Sequence, residues 1–293
     1  MRVLFYGSCN ASHLIERDEF GRRVFDRIEE EHQCVSHMCH DVYLNELALD
    51  RDIKTADLII TQPIADDYRG KPNLSTNYLL AERKAGTPVV IFPPIRFDAY
   101  YLDYSHLYVG GKVVTDPEDM HLGGIYQCWK DKRHPIDFVR EYVNNPDLFS
   151  PIEFEERARQ NISETGEREK KCKSYATTYD DVYPLDLTPF YETDHKRIPL
   201  TYTVNHPSKH TMFTVGMMIN DIVNSTSIGS EINLLANPEA DPFGRDRWII
   251  YSSIQKNVDF ATSLHPPRIR DKDGREADIN FLCNYYYEAY DKL

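Results

Sequence analysis

A cysteine stands in a tight turn near the amino terminus, in the tetrapeptide Gly7-Ser8-Cys9-Asn10. The turn follows the apolar run of residues 2–6, which is typical of a buried parallel strand, and it precedes a segment with helical spacing over residues 12–31. A thiol between a strand and a helix lies near backbone N–H groups, which lower its pKa and can stabilise an oxyanion. The same position also suits a small residue that only fills the turn. Cys9 is therefore a candidate nucleophile with a structural alternative.

Two further groups of polar side chains follow predicted strands. Gln62 ends the buried run of residues 56–62, and Asp67 and Arg69 come shortly after it. Asn205 and His206 follow a run at residues 200–204 that also predicts a strand. Because ligands of open α/β sheets bind outside the carboxyl ends of the strands, we expect these side chains to converge on one site.

His206 is the best-placed general base among the histidines, since an imidazole can take a proton from an alcohol or a thiol near neutral pH. Asn205 would orient it or donate to an oxyanion. Structural roles remain open for each candidate. A His-Pro pair makes a rigid turn, Gln62 can cap backbone at a strand end, and Arg69 can pair with a neighbouring aspartate.

Residues 34–40 contain two cysteines and two histidines within seven positions. No second cluster occurs at the spacing that zinc modules use. An alternating strand would also divide the four side chains between its two faces. The sequence therefore predicts no metal site.

The elements that must position these residues follow an alternating pattern in the first hundred residues. After the first strand come the run at 56–62, a helix over 75–84 and a strand over 88–92, which together predict a parallel sheet with helices on both faces. Beyond residue 100 the periodicity is mainly helical, over 135–143, 151–175, a segment ending at 223, and 277–290. We expect one large α/β domain over residues 1–293. Residues 1–100 would be its βα core, and residues 101–293 a helical and loop elaboration that returns a strand near 200–204.

The composition and the motifs of the sequence limit the functional classes that we expect for the protein. A formal net charge of -13 disfavours binding to nucleic acid and to anionic membranes. The six cysteines are scattered, and the apolar run at the amino terminus is too short for a leader or a membrane span, which favours a cytoplasmic protein with free thiols. The glycine-rich fingerprints of dinucleotide and P-loop sites and the GxSxG elbow do not occur.

Four short segments resemble the WcbI family of polysaccharide-biosynthesis proteins, which occur in capsule gene clusters. Residues 7–10 are similar to that family's Gly-Asn-Cys-Gln, with serine and asparagine in place of the two amide residues. The other segments are residues 57–64 with 67–69, residues 90–93 with 97–100, and residues 205–207. The resemblance covers the first hundred residues and one later point. It also suggests a flavodoxin- or SGNH-like sheet, in which a residue after the first strand meets a late histidine.

The resemblance implies coenzyme A binding and transfer of an acetyl group from acetyl-CoA to a sugar hydroxyl in capsule or surface polysaccharide biosynthesis. The partners would be a small acyl donor and a sugar acceptor, and an oligomer is compatible with the sequence. The site residues would then divide into a catalytic pair, Cys9 and His206; a coenzyme A-binding group, Ser8, Asn10, Gln62 and Arg69; and a substrate-binding or supporting group, Asn205, Asp67 and Arg96.

Two other functional classes fit the same residues. A carbohydrate deacylase would use the same cysteine and histidine with water as the acceptor. A non-catalytic protein would bind coenzyme A or a sugar without turnover.

Overall fold

The first strand predicted from the sequence lies inside a five-stranded parallel sheet. The strands are, in chain order, β1 (Arg2–Gly7), β2 (Gln33–Met38), β3 (Leu58–Thr61), β4 (Val89–Ile91) and β5 (Val182–Pro184). Their order across the sheet is β2-β1-β3-β4-β5. This is the flavodoxin-like doubly wound order, in which chain direction across the sheet reverses beside β1. The predicted fold class, a parallel amino-terminal sheet with a largely helical remainder, is confirmed.

The structure is a computed structural model that describes residues 1–26, 28, 32–115, 120–226, 232, 234–245, 247–260, 269–270 and 276–293. Two compact units are present. The first consists of Met1–Arg96, Ile162–Thr193 and Asn205–Gly244, and it contains the sheet. The second consists of Phe97–Asn161, Asp194–Val204 and Arg245–Leu293. The single domain expected over residues 1–293 stays a prediction.

The helices account for most of the remaining regular structure. They are α1 (Cys9–Ser12), α2 (Glu46–Thr55), α3 (Thr76–Glu82), α4 (Gly123–Lys130), α5 (Pro135–Phe138), α6 (Pro151–Ala176), α7 (Thr188–Asp194), α8 (Lys209–Asn224), α9 (Ser252–Gln255) and α10 (Ile279–Tyr290). Short 3₁₀ turns cover Tyr68–Gly70 and Pro72–Leu74, and a π turn covers Val139–Val143. Among the described residues, no helix has the length and apolar character needed to cross a membrane.

Three two-stranded pairings also occur among the described residues. They join Tyr104–Ser105 to His121–Leu122, Tyr108–Val109 to Lys112–Val113, and Ile269–Arg270 to Glu276–Ala277.

The sheet strands are short and almost fully apolar because both of their faces are covered. All residues of β3 and β4 are buried, as are five of the six in β1. On one face, Leu4 and Tyr6 pack in a cluster with residues of α2 and α3. The Tyr6 hydroxyl donates to the carbonyl of Leu74 at 2.7 Å, so even the polar end of this buried ring has a partner.

The strand predicted at residues 200–204 is not present. This segment forms bends, and the fifth strand of the sheet is Val182–Pro184 instead. Residues 200–204 are all buried, which explains their strand-like composition. Their backbone bonds to loops: the carbonyl of Val204 accepts from the Phe97 N–H at 3.0 Å, and that of Tyr202 from the Trp248 N–H at 2.9 Å. Burial alone therefore produced the pattern that we interpreted as a strand.

The helix predicted over residues 12–31 is wrong over residues 13–26, whereas Ser12 belongs to α1 and Ile28 is helical. After α1 ends at Ser12, the chain turns through residues 13–26. One carboxylate oxygen of Asp18 accepts from the backbone N–H groups of Phe20 and Arg22, each at 2.8 Å, and Gly21 adopts a positive φ of 78°. An aspartate that bonds its own following backbone favours a turn over a helix. Residues 27 and 29–31 lie outside the described residues.

A buried carboxylate ties the edge strand β2 to the centre of the sheet. Asp52, on α2, is 2% exposed and accepts from His37 Nε2 on β2 at 2.7 Å. It also pairs with the guanidinium of Arg2 on β1. Burial alone would raise the pKa of Asp52, but the His37 hydrogen bond and the Arg2 charge hold it below its ordinary value. This edge strand was missed in the sequence, where residues 34–40 were considered only as a possible metal site.

We expect Asp52→Asn to lower the free energy of unfolding by about 2–4 kcal/mol, since it leaves Arg2 without its buried counter-charge. Because the folded pKa of Asp52 is depressed, its contribution is present above the unfolded pKa of about 3.9 and is lost as the pH falls through the folded pKa. Urea unfolding of both proteins at several pH values should show the difference shrinking in acid. The matched control is Asp147→Asn, at a residue whose side chain is 86% exposed. A constant difference across the acid range would contradict this assignment.

Candidate active site at the carboxyl ends of the strands

The tetrapeptide of residues 7–10 forms the connection from β1 to α1. Ser8 is the N-cap of α1, and its hydroxyl accepts from the Asn10 N–H at 3.4 Å. A Cβ atom on Gly7 would stand 3.1 Å from side-chain atoms of both Ala11 and Gln62. Glycine is therefore required here by a close approach of neighbouring side chains. The result is that Cys9 stands half-buried at the carboxyl end of the central strand.

Gln62 holds this loop in place. It follows β3 and is 1% exposed. Its Oε1 accepts from the Ser8 backbone N–H at 3.1 Å and from the Ser8 hydroxyl at 2.5 Å. Its Nε2 donates to Asn10 Oδ1 at 3.4 Å. Both ends of the amide are thus hydrogen-bonded to the loop that carries Cys9, which makes Gln62 a positioning residue, and its expected contact with coenzyme A stays a prediction.

Asn10 extends this network to two more segments. Its Oδ1 also accepts from the Ile95 N–H at 3.2 Å, in the loop that follows β4. Its Nδ2 donates to the carbonyl of Asn205 at 3.1 Å and lies 3.9 Å from the Cys9 sulfur. Since backbone N–H groups only donate and carbonyls only accept, these partners determine the orientation of both amides. The sequence-predicted candidates after β1, β3 and the late segment are therefore brought together.

The Cys9 thiol is not activated in the way that the sequence suggested. Burial raises the pKa of Cys9 above its ordinary value, and the N–H groups of Asn10 and of Cys9 itself, with the Ser8 hydroxyl, oppose this increase without overcoming it. The expected lowering is therefore wrong, because desolvation outweighs the local dipoles. A neutral thiol needs a base before it can act as a nucleophile.

His206 is half-buried, and its ring stacks on Phe243 with 4.9 Å between centroids and 23° between planes. A second imidazole stacks on the same ring: His13 lies 4.4 Å from Phe243 at 14°. The segment that carries Phe243 is held by the turn at residues 18–26, where Asp18 accepts from the Asp241 N–H at 3.1 Å. The turn that replaced the predicted helix thus supports the aromatic ring between the two histidines.

His13 was not among the site residues predicted from the sequence. The spacing in the sequence could have indicated it, because His13 is four positions after Cys9. In helical geometry, residues spaced by four positions lie on the same face. The backbone bond from the His13 N–H to the Cys9 carbonyl, at 3.0 Å, shows this helical geometry.

The supporting residues expected for a ligand lie on the surface. Arg69 is exposed, adopts a φ of 54° and donates to the Asp41 carbonyl at 3.2 Å. It forms no ion pair among the described residues, and its predicted neighbour Asp66 accepts instead from Asn77 Nδ2 at 2.8 Å. Asp67 and Arg96 are likewise exposed. The side chain of Asn205 is also exposed, so it is the Asn205 carbonyl that joins the network.

Within the residues that the structure describes, no group of three or more histidine, cysteine, aspartate or glutamate side chains is arranged to hold a metal ion.

Comparison with known proteins shows which family the chain belongs to. The family model for WcbI, described as a polysaccharide biosynthesis enzyme, matches residues 3–225. The chain belongs to the WcbI family. That match covers more than half of the sequence and includes every residue of the network around Cys9. Among curated proteins no match to the chain is found.

A solved structure of a WcbI protein has the same fold. It is described as a novel polysaccharide biosynthesis enzyme, in a native form without a disulfide bond between coenzyme A and one of its cysteines. The TM-score is 0.72, the identity is 18%, and the alignment covers 100% of this chain and 90% of the other. The family is thus one of polysaccharide biosynthesis enzymes, and its fold extends over the whole of this chain.

We expect Gln62→Met to lower the free energy of unfolding by about 1–3 kcal/mol, because at nearly constant volume it removes the acceptor of the Ser8 N–H and one of the two donors to Asn10 Oδ1. Denaturant unfolding measures the change. The control is Gln127→Met, at an exposed position, which should stay within about 0.5 kcal/mol of the wild type. Equal stability of the Gln62 variant and the wild type would contradict the role assigned to this amide.

Proposed function

We propose that this WcbI-family protein is an acyl-CoA-dependent O-acetyltransferase that acts on a sugar hydroxyl in capsule or surface polysaccharide biosynthesis. The observation that carries the proposal is the hydrogen bond from Asn10 Nδ2 to the carbonyl of Asn205. It joins the residue after Cys9 to the residue before His206, although the two segments are nearly two hundred positions apart. A thiol and an imidazole at the carboxyl edge of one sheet are the groups that acyl transfer requires.

The residues present fit coenzyme A as the acyl donor. The WcbI protein of the solved structure is described with coenzyme A and a cysteine, and Cys9 is the half-buried cysteine at the carboxyl edge of this sheet. Arg69 offers an exposed guanidinium without an ion pair among the described residues, which suits a phosphate group. Asp67 and Arg96 would contact the substrate from exposed positions. When bound, the coenzyme supplies an acetyl group activated as a thioester.

Each protein group has one task in this proposal. The Cys9 N–H lowers the pKa of the thiol and would be the donor to an oxyanion formed next to the sulfur. The N–H groups of Ser8 and Asn10 are already bonded to Gln62 and to the Ser8 hydroxyl, and they do not contribute. His206 takes the proton from the sugar hydroxyl. Gln62 and Asn10 keep the loop in the orientation that these tasks need.

We expect coenzyme A and acetyl-CoA to raise the melting temperature, and nicotinamide cofactors to leave it unchanged, because a ligand bound only by the native state stabilises it by mass action. His206→Ala should keep this thermal shift and reduce acetyl transfer to a panel of free sugars by about a hundredfold or more. The same substitution at His40, an exposed histidine, is the control.

Three results would overturn the proposal. They are a shift by nicotinamide cofactors alone, unchanged turnover in His206→Ala, and acetate release from an acetylated sugar without coenzyme A. The last result would identify a deacylase.

A further inference from the structure

Phe243 contacts two imidazoles and has no part in the reaction as proposed above. Its side chain is buried, with the residue only 4% exposed. His206 stacks on the phenyl ring with 4.9 Å between centroids and 23° between planes, and His13 does so at 4.4 Å and 14°. Two separate parts of the chain thus place an imidazole against one buried phenyl ring.

His13 joins these rings to the loop that carries Cys9. Its Nδ1 lies 2.8 Å from the carbonyl oxygen of Cys9, and because a carbonyl only accepts hydrogen bonds, Nδ1 is the donor. The His13 backbone N–H donates to the same carbonyl at 3.0 Å. The ring bond directs Nε2 away from Cys9, so His13 is not placed to act on the thiol. It is instead a ring whose position is fixed relative to the Cys9 loop.

The segment that carries Phe243 is also fixed. The Asp241 N–H donates to the carboxylate of Asp18 at 3.1 Å, and the Asn237 N–H donates to the Val24 carbonyl at 2.7 Å. Both acceptors belong to the turn at residues 18–26, which follows the Cys9 loop in the chain. The phenyl ring therefore has a defined position before any ligand binds.

His206 reaches this ring from the segment before α8. The carbonyl of Asn205 accepts from Asn10 Nδ2 at 3.1 Å. On the other side, the Ser208 hydroxyl caps α8 by accepting from the Thr211 N–H at 3.3 Å. Since the backbone is held on both sides of His206, rotations of the side chain decide where the imidazole lies. Stacking on a buried phenyl ring restricts those rotations.

The phenyl ring also affects the charge that His206 carries during the reaction. His206 takes the proton of the sugar hydroxyl while the hydroxyl oxygen forms a bond to the acetyl carbon. The bond between that carbon and the sulfur of coenzyme A breaks, its electron pair stays on the sulfur, and the proton passes from His206 to that sulfur. His206 is thus an imidazolium between the two proton transfers. A cation within about 6 Å of the centroid of an aromatic ring is attracted by its face.

We propose that Phe243 is a positioning residue for the His206 base and stabilises its imidazolium, and that His13 holds Phe243 at the Cys9 loop. This assignment rests on the proposed function and deepens it. The stacked rings then keep the base at a fixed distance from the loop beside which the acyl group would lie.

Other titratable groups lie on the segments that carry the three rings. They are Glu16, Asp18, Lys209, His210, Glu239 and Asp241. Lys209 Nζ lies 3.7 Å from a carboxylate oxygen of Glu239, and the carboxylate of Glu16 lies 3.4 Å from His13 Nδ1. Burial, and then the charge of Lys209, lower the pKa of His210, and Asp241 opposes this decrease. A substitution at Phe243 leaves all of these groups in place, so a change in the titration of His206 reports the loss of the phenyl ring.

The first test measures the imidazoles without coenzyme or sugar. NMR titration of the histidine Cε1–H signals, assigned with His206→Ala and His13→Ala, follows each ring separately. Phe243→Leu keeps an apolar side chain and removes the aromatic face, which makes the imidazolium less stable. We therefore expect it to lower the titration midpoint of His206 by about half a pH unit. The exposed His40 is the internal control and should titrate as in the wild type. An unchanged midpoint for His206 would overturn the assignment.

The second test measures acetyl transfer to a sugar that the wild type accepts. We expect Phe243→Leu to lower kcat about tenfold with the KM for acetyl-CoA nearly unchanged, because the base is displaced and the donor site is not. The acidic limb of its pH profile should lie about half a pH unit lower. Phe243→Tyr retains the aromatic face and should restore both quantities.

The matched control for lost packing is Phe138→Leu, at a buried phenyl ring that packs against Tyr142 and Tyr251. It should keep the wild-type kcat and pH profile. A thermal shift by coenzyme A shows that each variant is folded. A wild-type kcat in folded Phe243→Leu would overturn the positioning role.

The two proposals fail in different ways. Acetyl transfer with the same kcat and pH profile in wild type and Phe243→Leu overturns the role of Phe243 and leaves the proposed function in place. Absence of coenzyme A binding overturns the proposed function, while the NMR titration still decides whether the phenyl ring stabilises the imidazolium of His206.

Discussion

The arrangement of the candidate site depends on one buried amide that accepts two hydrogen bonds from Ser8 and donates one to Asn10. Gln62 has almost no solvent to replace these partners, so their loss would leave buried polar atoms unpaired. Through Asn10 the same network reaches the Ile95 N–H and the Asn205 carbonyl. Three other segments of the chain, those of Gln62, Ile95 and Asn205, are thus fixed around the Cys9 loop.

This network forms with residues that depart from the Gly-Asn-Cys-Gln pattern that the loop resembles. Serine at position 8 supplies both a backbone and a hydroxyl donor to one oxygen, and a shorter amide at position 10 still has four polar neighbours. The cost of such a closely packed loop is desolvation of the thiol, which raises the pKa of Cys9. A thiol of this kind needs a base to act as a nucleophile, and two imidazoles, those of His13 and His206, stack on the Phe243 ring.

Much of the fold followed from the sequence, because buried parallel strands and capped helices leave local patterns. β1, β3, β4 and the helix α3 are present as expected. The edge strand β2 was missed because its half-buried residues mix polar and apolar types, and Pro184 at the end of β5 hid an edge strand that tolerates proline. The run at residues 200–204 was misleading because loops can bury a segment as completely as a sheet does.

The candidate site residues could be ranked from the sequence by their positions after predicted strands. Their hydrogen-bond partners could not be predicted in this way. Position alone suggested that Gln62 binds a ligand, whereas the structure shows both ends of its amide occupied. His13 was not predicted because only residues directly after strand ends were ranked, and His13 lies within the predicted helix of residues 12–31.

The proposed function requires that the Cys9 sulfur faces the acyl group of a bound coenzyme. A crystal structure of the protein soaked with coenzyme A measures this most directly. We expect the coenzyme sulfur to contact Cys9 Sγ, within about 4 Å. A coenzyme bound elsewhere on the protein, with Cys9 untouched, would contradict it.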